Sequence, residues 1–333
     1  MKIIAPQYYY DFHCVASRCP DSCCKEWAVD VDPDAAAFYR ALPGALGDRL
    51  RSVLAGDKGN TVMQIIDGRC PMWRQDGLCE IQAALGHDAL CQTCRDFPRL
   101  RHDYGDFLQL DLELSCPEAA RLIFTGDPTP VYTQEDGGDV PEYDLQTMQL
   151  LLRSRQEVLS FLDSTSLPLN ECLAVILLHA HALQSQIDTG TPASFDPSAC
   201  LDDARRFAGS GSLEQLTDFF EHLEILTEDW RVLLATPKQT PVYYRPLIRY
   251  FIQRYWLQAV SDWDLVGRVK LMLTACILIG SMPEEPIRAA QQFSKEIEND
   301  PDNIEAILDG CYRSPALTDS NLLGLLLTKH CAL

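Results

Sequence analysis

Leucines at 108, 110, 112 and 114 alternate with Gln109, Asp111 and Glu113, a period of two that predicts a strand. Trp27, Val29 and Val31 alternate in the same way with Ala28, Asp30 and Asp32, which suits a shorter strand, and residues 61–66 are rich in β-formers. Asp32-Pro33-Asp34 predicts a helix start, with the cap before a proline in the first turn. Pro43 is expected to break that helix near its middle, and Gly56 to end the second piece. Cys116-Pro117-Glu118 opens an apolar-periodic helix through Ala119, Leu122 and Ile123. Beyond residue 142 the pattern is helical almost throughout. The expected helices cover 143–164, 168–188, 197–208, 212–234, 242–260, 263–280, 285–299, 303–312 and 319–330, most of them separated by proline and cap residues.

This pattern predicts a mainly α fold. A small cysteine-rich α+β metal-binding module (1–125) is followed by a linker (126–142) and an all-α helical domain (143–333). Gly126-Asp127-Pro128-Thr129-Pro130 and Glu135-Asp136-Gly137-Gly138-Asp139 bracket the linker. No fixed-period repeat indicates a solenoid. A formal charge of −20 over 333 residues argues against nucleic acid or an anionic membrane as partner, since both reward Lys and Arg. The first 25 residues hold no continuous apolar run of the kind a secretory signal needs, and no apolar stretch reaches bilayer length, so a cytoplasmic protein is expected.

Cysteine usage sharpens this picture. Nine of the 14 cysteines fall in the first 116 residues. In a reducing compartment such density points to metal binding rather than to disulfides. The nine candidate ligands are Cys14, Cys19, Cys23, Cys24, Cys70, Cys79, Cys91, Cys94 and Cys116. Cys91-x2-Cys94 lets two thiolates meet one metal from a tight turn. Thiolate-only ligation with irregular spacing suits an iron–sulfur cluster at least as well as zinc. The count leaves open whether four thiolates hold one centre or eight hold two. Cys172, Cys200, Cys276, Cys311 and Cys331 are scattered through expected helices and read as buried thiols.

At these residues the chain resembles the flagellin lysine-N-methylase (FliB-type) family, with an N-terminal module like those of proposed zinc- or iron-chelating proteins. The resemblance rests on Pro6-x-Tyr8, Phe12-x-Cys14, Cys19-x3-Cys23-Cys24-x2-Trp27, Gly68-x-Cys70-Pro71 and Gly77-Leu78-Cys79. It continues in Leu90-Cys91-x2-Cys94-Arg95-x-Phe97-Pro98-Arg99 and Ser115-Cys116-Pro117-Glu118-Ala119-Ala120-Arg121. These motifs span about the first 121 residues. The resemblance implies methyl transfer from S-adenosylmethionine to lysine side chains of flagellin. It also implies an iron–sulfur cluster, of the [4Fe–4S] type with zinc the alternative, on the cysteines. A Rossmann-type methyltransferase would show a Gly-rich turn after a strand. The only such turn, Gly209-Ser210-Gly211-Ser212, sits between helices, and the CxxxCxxC of radical enzymes is missing.

Lysine methylation needs a neutral amine facing a sulfonium methyl group, with a carboxylate or tyrosine to take the proton. Tyr8, Tyr9, Tyr10 and Asp11 are candidates for a lysine channel, against the simpler role of packing aromatics. Arg95, Arg99 and Arg101 are candidates to hold the donor's carboxylate or offset an anionic cluster, against surface pairing with Asp96 or Asp103. His179 and His181 stand at i,i+2 on a helix and cannot face one metal, so both read as core or boundary residues. Two rival functions remain: a non-catalytic zinc-binding interaction module on a helical scaffold, and an iron–sulfur redox protein.

Overall fold

The computed structural model describes residues 1–25, 27, 29–56 and 60–327. Ala28, counted in the short expected strand, and Cys331, with the expected helix end at 328–330, lie outside the described residues. Strand β1 (Lys2–Pro6) runs straight into α1 (Gln7–Asp11). Then come β2 (Val29–Val31), α2 (Pro33–Ala41), α3 (Gly44–Val53), β3 (Leu54–Ala55), β4 (Thr61–Met63), α4 (Glu80–Leu85) and α5 (Gln92–Asp96). The expected cap and break are both present: Asp32 accepts from the Ala35 amide at 3.0 Å, and Leu42-Pro43 separates α2 from α3. Strands β5 (Arg99–Asp103) and β6 (Phe107–Leu112) form a hairpin, followed by α6 (Pro117–Thr125) and β7 (Pro130–Gln134).

Two small sheets result. One has the order β5-β6-β1-β7, with β1 parallel to β6 and antiparallel to β7; the other is β2-β4-β3, all antiparallel. Residues 130–134 of the expected linker thus pair along the whole of β1. The helices that follow are α7 (Leu145–Ser164), α8 (Leu169–Thr189), α9 (Pro197–Phe207), α10 (Leu213–Glu221), α11 (Glu228–Ala235) and α12 (Arg245–Tyr255). They are succeeded by α13 (Ala259–Asp262), α14 (Leu265–Ser281), α15 (Pro286–Phe293), α16 (Pro301–Arg313) and α17 (Asp319–Leu327). Helix predominates, as the pattern predicts. The expected helix 212–234 is instead two helices, because the amides of Glu224 and Leu226 are bonded by the side chains of Asn303 and Glu296.

Two apolar cores lie under these elements. The smaller gathers residues from β2 to Cys91, including Val29, Tyr39, Leu50, Met63 and Met72. The larger joins the four-stranded sheet, α1 and α6 to the helices after residue 142. Its centre is α14, buried at every residue, so it has no polar face to show water. Lys270 on α14 reaches Asp319 at 2.8 Å and the Cys311 carbonyl at 3.1 Å, which satisfies its charge inside the bundle. The Gly209–Ser212 turn is a packing device. A Cβ on Gly211 would stand 2.5 Å from the Leu325 amide, and one on Gly324 would stand 2.4 Å from the Gly211 amide. No helix among the described residues is long and apolar enough to cross a membrane.

The sheet carries one costly group. Asp111 is 1 % exposed, and its Oδ1 accepts from the Tyr8 hydroxyl at 2.7 Å and from the Leu112 amide at 2.8 Å. Burial outweighs these bonds and pushes its pKa up to about 6. A carboxyl whose folded pKa is raised binds protons more tightly when folded, so the native state loses stability as pH rises from about 4 through 6. Asp111→Asn is therefore expected to gain up to about 3 kcal/mol relative to wild type between pH 4 and pH 8. Urea unfolding at both pH values checks this, and parallel pH profiles would contradict it.

Candidate metal centre

Six of the nine N-terminal cysteines converge on one cavity of about 30 Å³. They are Cys23, Cys24, Cys70, Cys79, Cys91 and Cys94, and the wall between them is apolar, with Val29, Met63, Met72, Ile81 and Leu90. Local structure explains each placement. Asp67 and Gly68, at φ of 52° and 72°, make a two-residue hairpin turn in which Ile66 and Arg69 exchange both backbone hydrogen bonds. That turn delivers Cys70, whose amide donates to the Cys24 carbonyl at 2.8 Å and so binds the two cysteine segments together. Cys79 and Cys91 are the residues before the first turns of α4 and α5. Cys94 lies in the first turn of α5, on the same side as Cys91. Asp32 fixes this turn from below: its second carboxylate oxygen accepts from the Gln92 amide at 2.7 Å, while Thr93 bonds the Asp30 carbonyl at 2.9 Å.

Electrostatics at the cavity favour sulfur as an anion at several positions. Cys24 donates to both Cys23 and Cys70, which brings each of those thiols down to about 7. Cys94 does the same for Cys91, lowering its pKa. Cys24 and Cys94 are raised in return. The amides of Met72, of Ile81 and Gln82, and of Cys94 act to lower the thiol pKa values of Cys70, Cys79 and Cys91 respectively. Amide donors on thiolate sulfur are a means by which proteins tune iron–sulfur centres. Among the described residues no three His, Cys, Asp or Glu side chains stand in ready ligating geometry. The donor set nonetheless fits a soft metal: sulfur only, from four chain segments, in an apolar wall.

The other expected site residues lie elsewhere. Cys14 is exposed, and Cys19 and Cys116 sit near Cys23 but outside the cavity. Burial pushes the Cys116 thiol up to about 12. None of Tyr10, Asp11, Arg95 and Arg99 lines the cavity. Tyr10 is 42 % exposed and packs edge-on against Tyr9. Asp11 accepts a hydrogen bond from Gln7, and Arg95 lies 3.8 Å from its neighbour Asp96. Arg99 lies over the rings of Tyr9 and Phe12, at 5.8 and 5.0 Å from their centroids. His179 and His181 diverge as the spacing requires. His179 is buried against Phe195 with its pKa lowered to about 4 by burial, while His181 pairs with Asp319 at 2.9 Å.

A second feature was not legible from the motifs. A small cleft of about 60 Å³ shares Cys23 with the thiol cavity and is closed by Trp27, Ser115, Thr227, Lys295 and Asn299. Asp21 bonds both Lys25, at 3.0 Å, and Lys295, which fastens the cysteine-bearing loop to the end of α15. Behind Ser115 stands Glu113, a buried carboxyl that accepts from the serine hydroxyl at 2.9 Å; burial raises its pKa.

Over 135 residues the chain is 32 % identical to the flagellar biosynthetic protein FliU of Salmonella muenchen, a match covering 38 % of this chain and 79 % of that protein. The chain belongs to the FliU family. It is also 31 % identical over 146 residues to the lysine-N-methylases of Salmonella choleraesuis and Salmonella typhimurium. Those matches cover 40 % of this chain and 35 % of each methylase, so about a third of the methylases' length is matched. No family model matches the chain, and no solved structure does.

Proposed function

We propose that the chain methylates lysine side chains of flagellin with S-adenosylmethionine as donor, and that the six-thiol cavity holds an iron–sulfur cluster. Its similarity to lysine-N-methylases and to a flagellar biosynthetic protein supports the reaction class and the flagellar link. The observation that carries the reading is the convergence of six sulfurs on one apolar cavity beside a cleft. When bound, such a cluster supplies a one-electron couple next to that cleft.

The protein's own residues supply the rest. The apolar wall shields Cys70 and Cys91, which are buried, while Cys23 and Cys94 are exposed. In the adjoining cleft, a substrate lysine must reach its neutral form before it accepts a methyl group, and Glu113 is placed to draw that proton through the Ser115 hydroxyl. Burial of Glu113 raises its proton affinity, which suits a base.

The test uses the full chain purified without oxygen. Brown protein with iron and sulfide in comparable amounts, and transfer of label from methyl-labelled S-adenosylmethionine to flagellin lysines, are the expected results. Colourless protein with stoichiometric zinc and no labelled lysine would replace this reading with a zinc-binding interaction module. A brown protein that labels no lysine would replace it with an electron carrier.

A further inference from the structure

Away from the thiols, a second space lies between strands β1, β6 and β7 of the four-stranded sheet and helices α7 and α12. It is a cavity of about 310 Å³, within the size range of small-molecule sites. Its charge is out of keeping with a chain carrying −20: Lys2, Arg155 and Arg249 face two carboxylates, Asp111 and Asp163. Arg249 is paired with Asp163. Lys2 rests over the Tyr132 ring, 4.8 Å from its centroid.

Arg155 is different. It has no ion pair among the described residues. Both its hydrogen bonds run from Nη1, to Gln109 Oε1 at 2.5 Å and to the Gln253 carbonyl at 3.4 Å. The N–H groups of Nη2 and Nε therefore have no protein partner. Loss of water around the guanidinium pulls its pKa down to about 10, so the site holds this cation at a cost. Asp111 presents the mirror-image case. Tyr8 and Leu112 both bond its Oδ1, Oδ2 has no donor among the described residues, and Asp111 lines the cavity. The two charges are close enough to act on each other yet form no ion pair. Beside them, Gln253 Oε1 is buried without a donor. A fork of free donors and a free carboxylate oxygen, kept apart across one cavity, match a molecule that carries both charges itself.

We infer that this cavity binds a small amino-acid-type zwitterion, its carboxylate held by Arg155 and its ammonium by Asp111. The chemistry is that of charge-assisted hydrogen bonding, bidentate on the Arg155 side. It also accounts for a carboxylate whose burial destabilises the fold: such groups persist where function needs them. The inference stands on the cavity alone and does not require the methylase reading.

Titration calorimetry on the full chain at pH 7.5 tests it with four probes: L-methionine, S-adenosylhomocysteine, 4-(methylthio)butyrate and 3-(methylthio)propylamine. One or both of the first two are expected to bind, and the last two, each lacking one charge, to bind more weakly. Arg155→Met and Asp111→Asn are each expected to weaken zwitterion binding about 10- to 100-fold, the scale of one lost charged hydrogen bond. A measurement on the unaltered chain guards against variants that fail to fold. Bound zwitterion should shield the Arg155 peptide from phenylglyoxal, read by mass spectrometry. Three outcomes would each overturn the inference: no binding by either zwitterion, equal binding by the carboxylate-only probe, or unshielded Arg155. Methyl transfer to flagellin is read separately, so its failure says nothing against this site.

Discussion

Arg254→Met is expected to lower the unfolding free energy by about 3–5 kcal/mol, the usual result of breaking a buried ion pair from one side. Arg254 is 8 % exposed, and its Nε lies 3.3 Å from a carboxylate oxygen of Glu298, whose side chain is wholly buried. Two tyrosines complete the group. The Tyr255 hydroxyl donates to Glu298 at 2.9 Å and the Tyr250 hydroxyl at 3.1 Å, while both rings flank the guanidinium. Burial alone would lower the Arg254 pKa; Glu298, Tyr250, Tyr255 and Glu113 together outweigh it and hold the group well above its usual value. Removing the cation leaves Glu298 as a buried charge with only hydroxyl donors, and also takes away a counter-charge felt by Glu113. The double variant Arg254→Met/Glu298→Gln is expected to recover most of the loss, because the pair itself contributes little beyond the desolvation it offsets. Urea unfolding followed by circular dichroism measures both. A single-variant loss below about 1 kcal/mol would mean that water reaches Glu298 and that the group is not the closed network described.

Features specified by neighbouring residues were readable in the chain, and those specified by distant ones were not. The alternation at 108–114 found β6 because one face of a strand repeats every second residue. Asp32 before Pro33 found α2 because a cap and a proline act within one turn. Strand β7 was lost in the expected linker because Pro128, Pro130 and the glycines beyond it read as loop. An edge strand tolerates proline at its first residue, and its pairing with β1 depends on residues more than 120 positions away. The break between α10 and α11 was invisible for a like reason: Asn303 and Glu296, some 70 to 80 residues later, bond the amides that a continuous helix would have used. For the cysteines, spacing singled out Cys91 and Cys94, which the fold places together on the cavity wall. It could not separate Cys23 and Cys24 from Cys14 and Cys19, since only the fold brings the 70s and 90s against the former. Arg155 gave no signal at all. Its chemistry arises from the carboxylates it lacks, and that is a property of place rather than of sequence.

If the cavity holds the cluster, Cys91→Ser is expected to strip the anaerobically purified chain of its iron, whereas Cys14→Ser is expected to leave iron unchanged. Cys91 is 2 % exposed, faces the cavity, and has its thiol pKa lowered by Cys94. Serine keeps the shape but offers a hard oxygen that stays protonated near neutral pH, so a soft metal loses one ligand while the fold loses little. Cys14 is exposed and its sulfur accepts only a long hydrogen bond from Ala16, at 3.4 Å. A third variant separates ligation from stability. Cys276 is buried within α14, far from any other thiol of the cavity, so Cys276→Ser should lower stability by placing a hydroxyl in the core yet retain the full iron content. Iron and sulfide assays, with far-ultraviolet circular dichroism on the same samples, read all three. Iron lost equally from Cys14→Ser and Cys91→Ser would move the centre toward the group near Cys23 that includes Cys19 and Cys116. Iron lost only from Cys276→Ser would deny the cavity any metal, because the one surviving explanation would be collapse of the helical core.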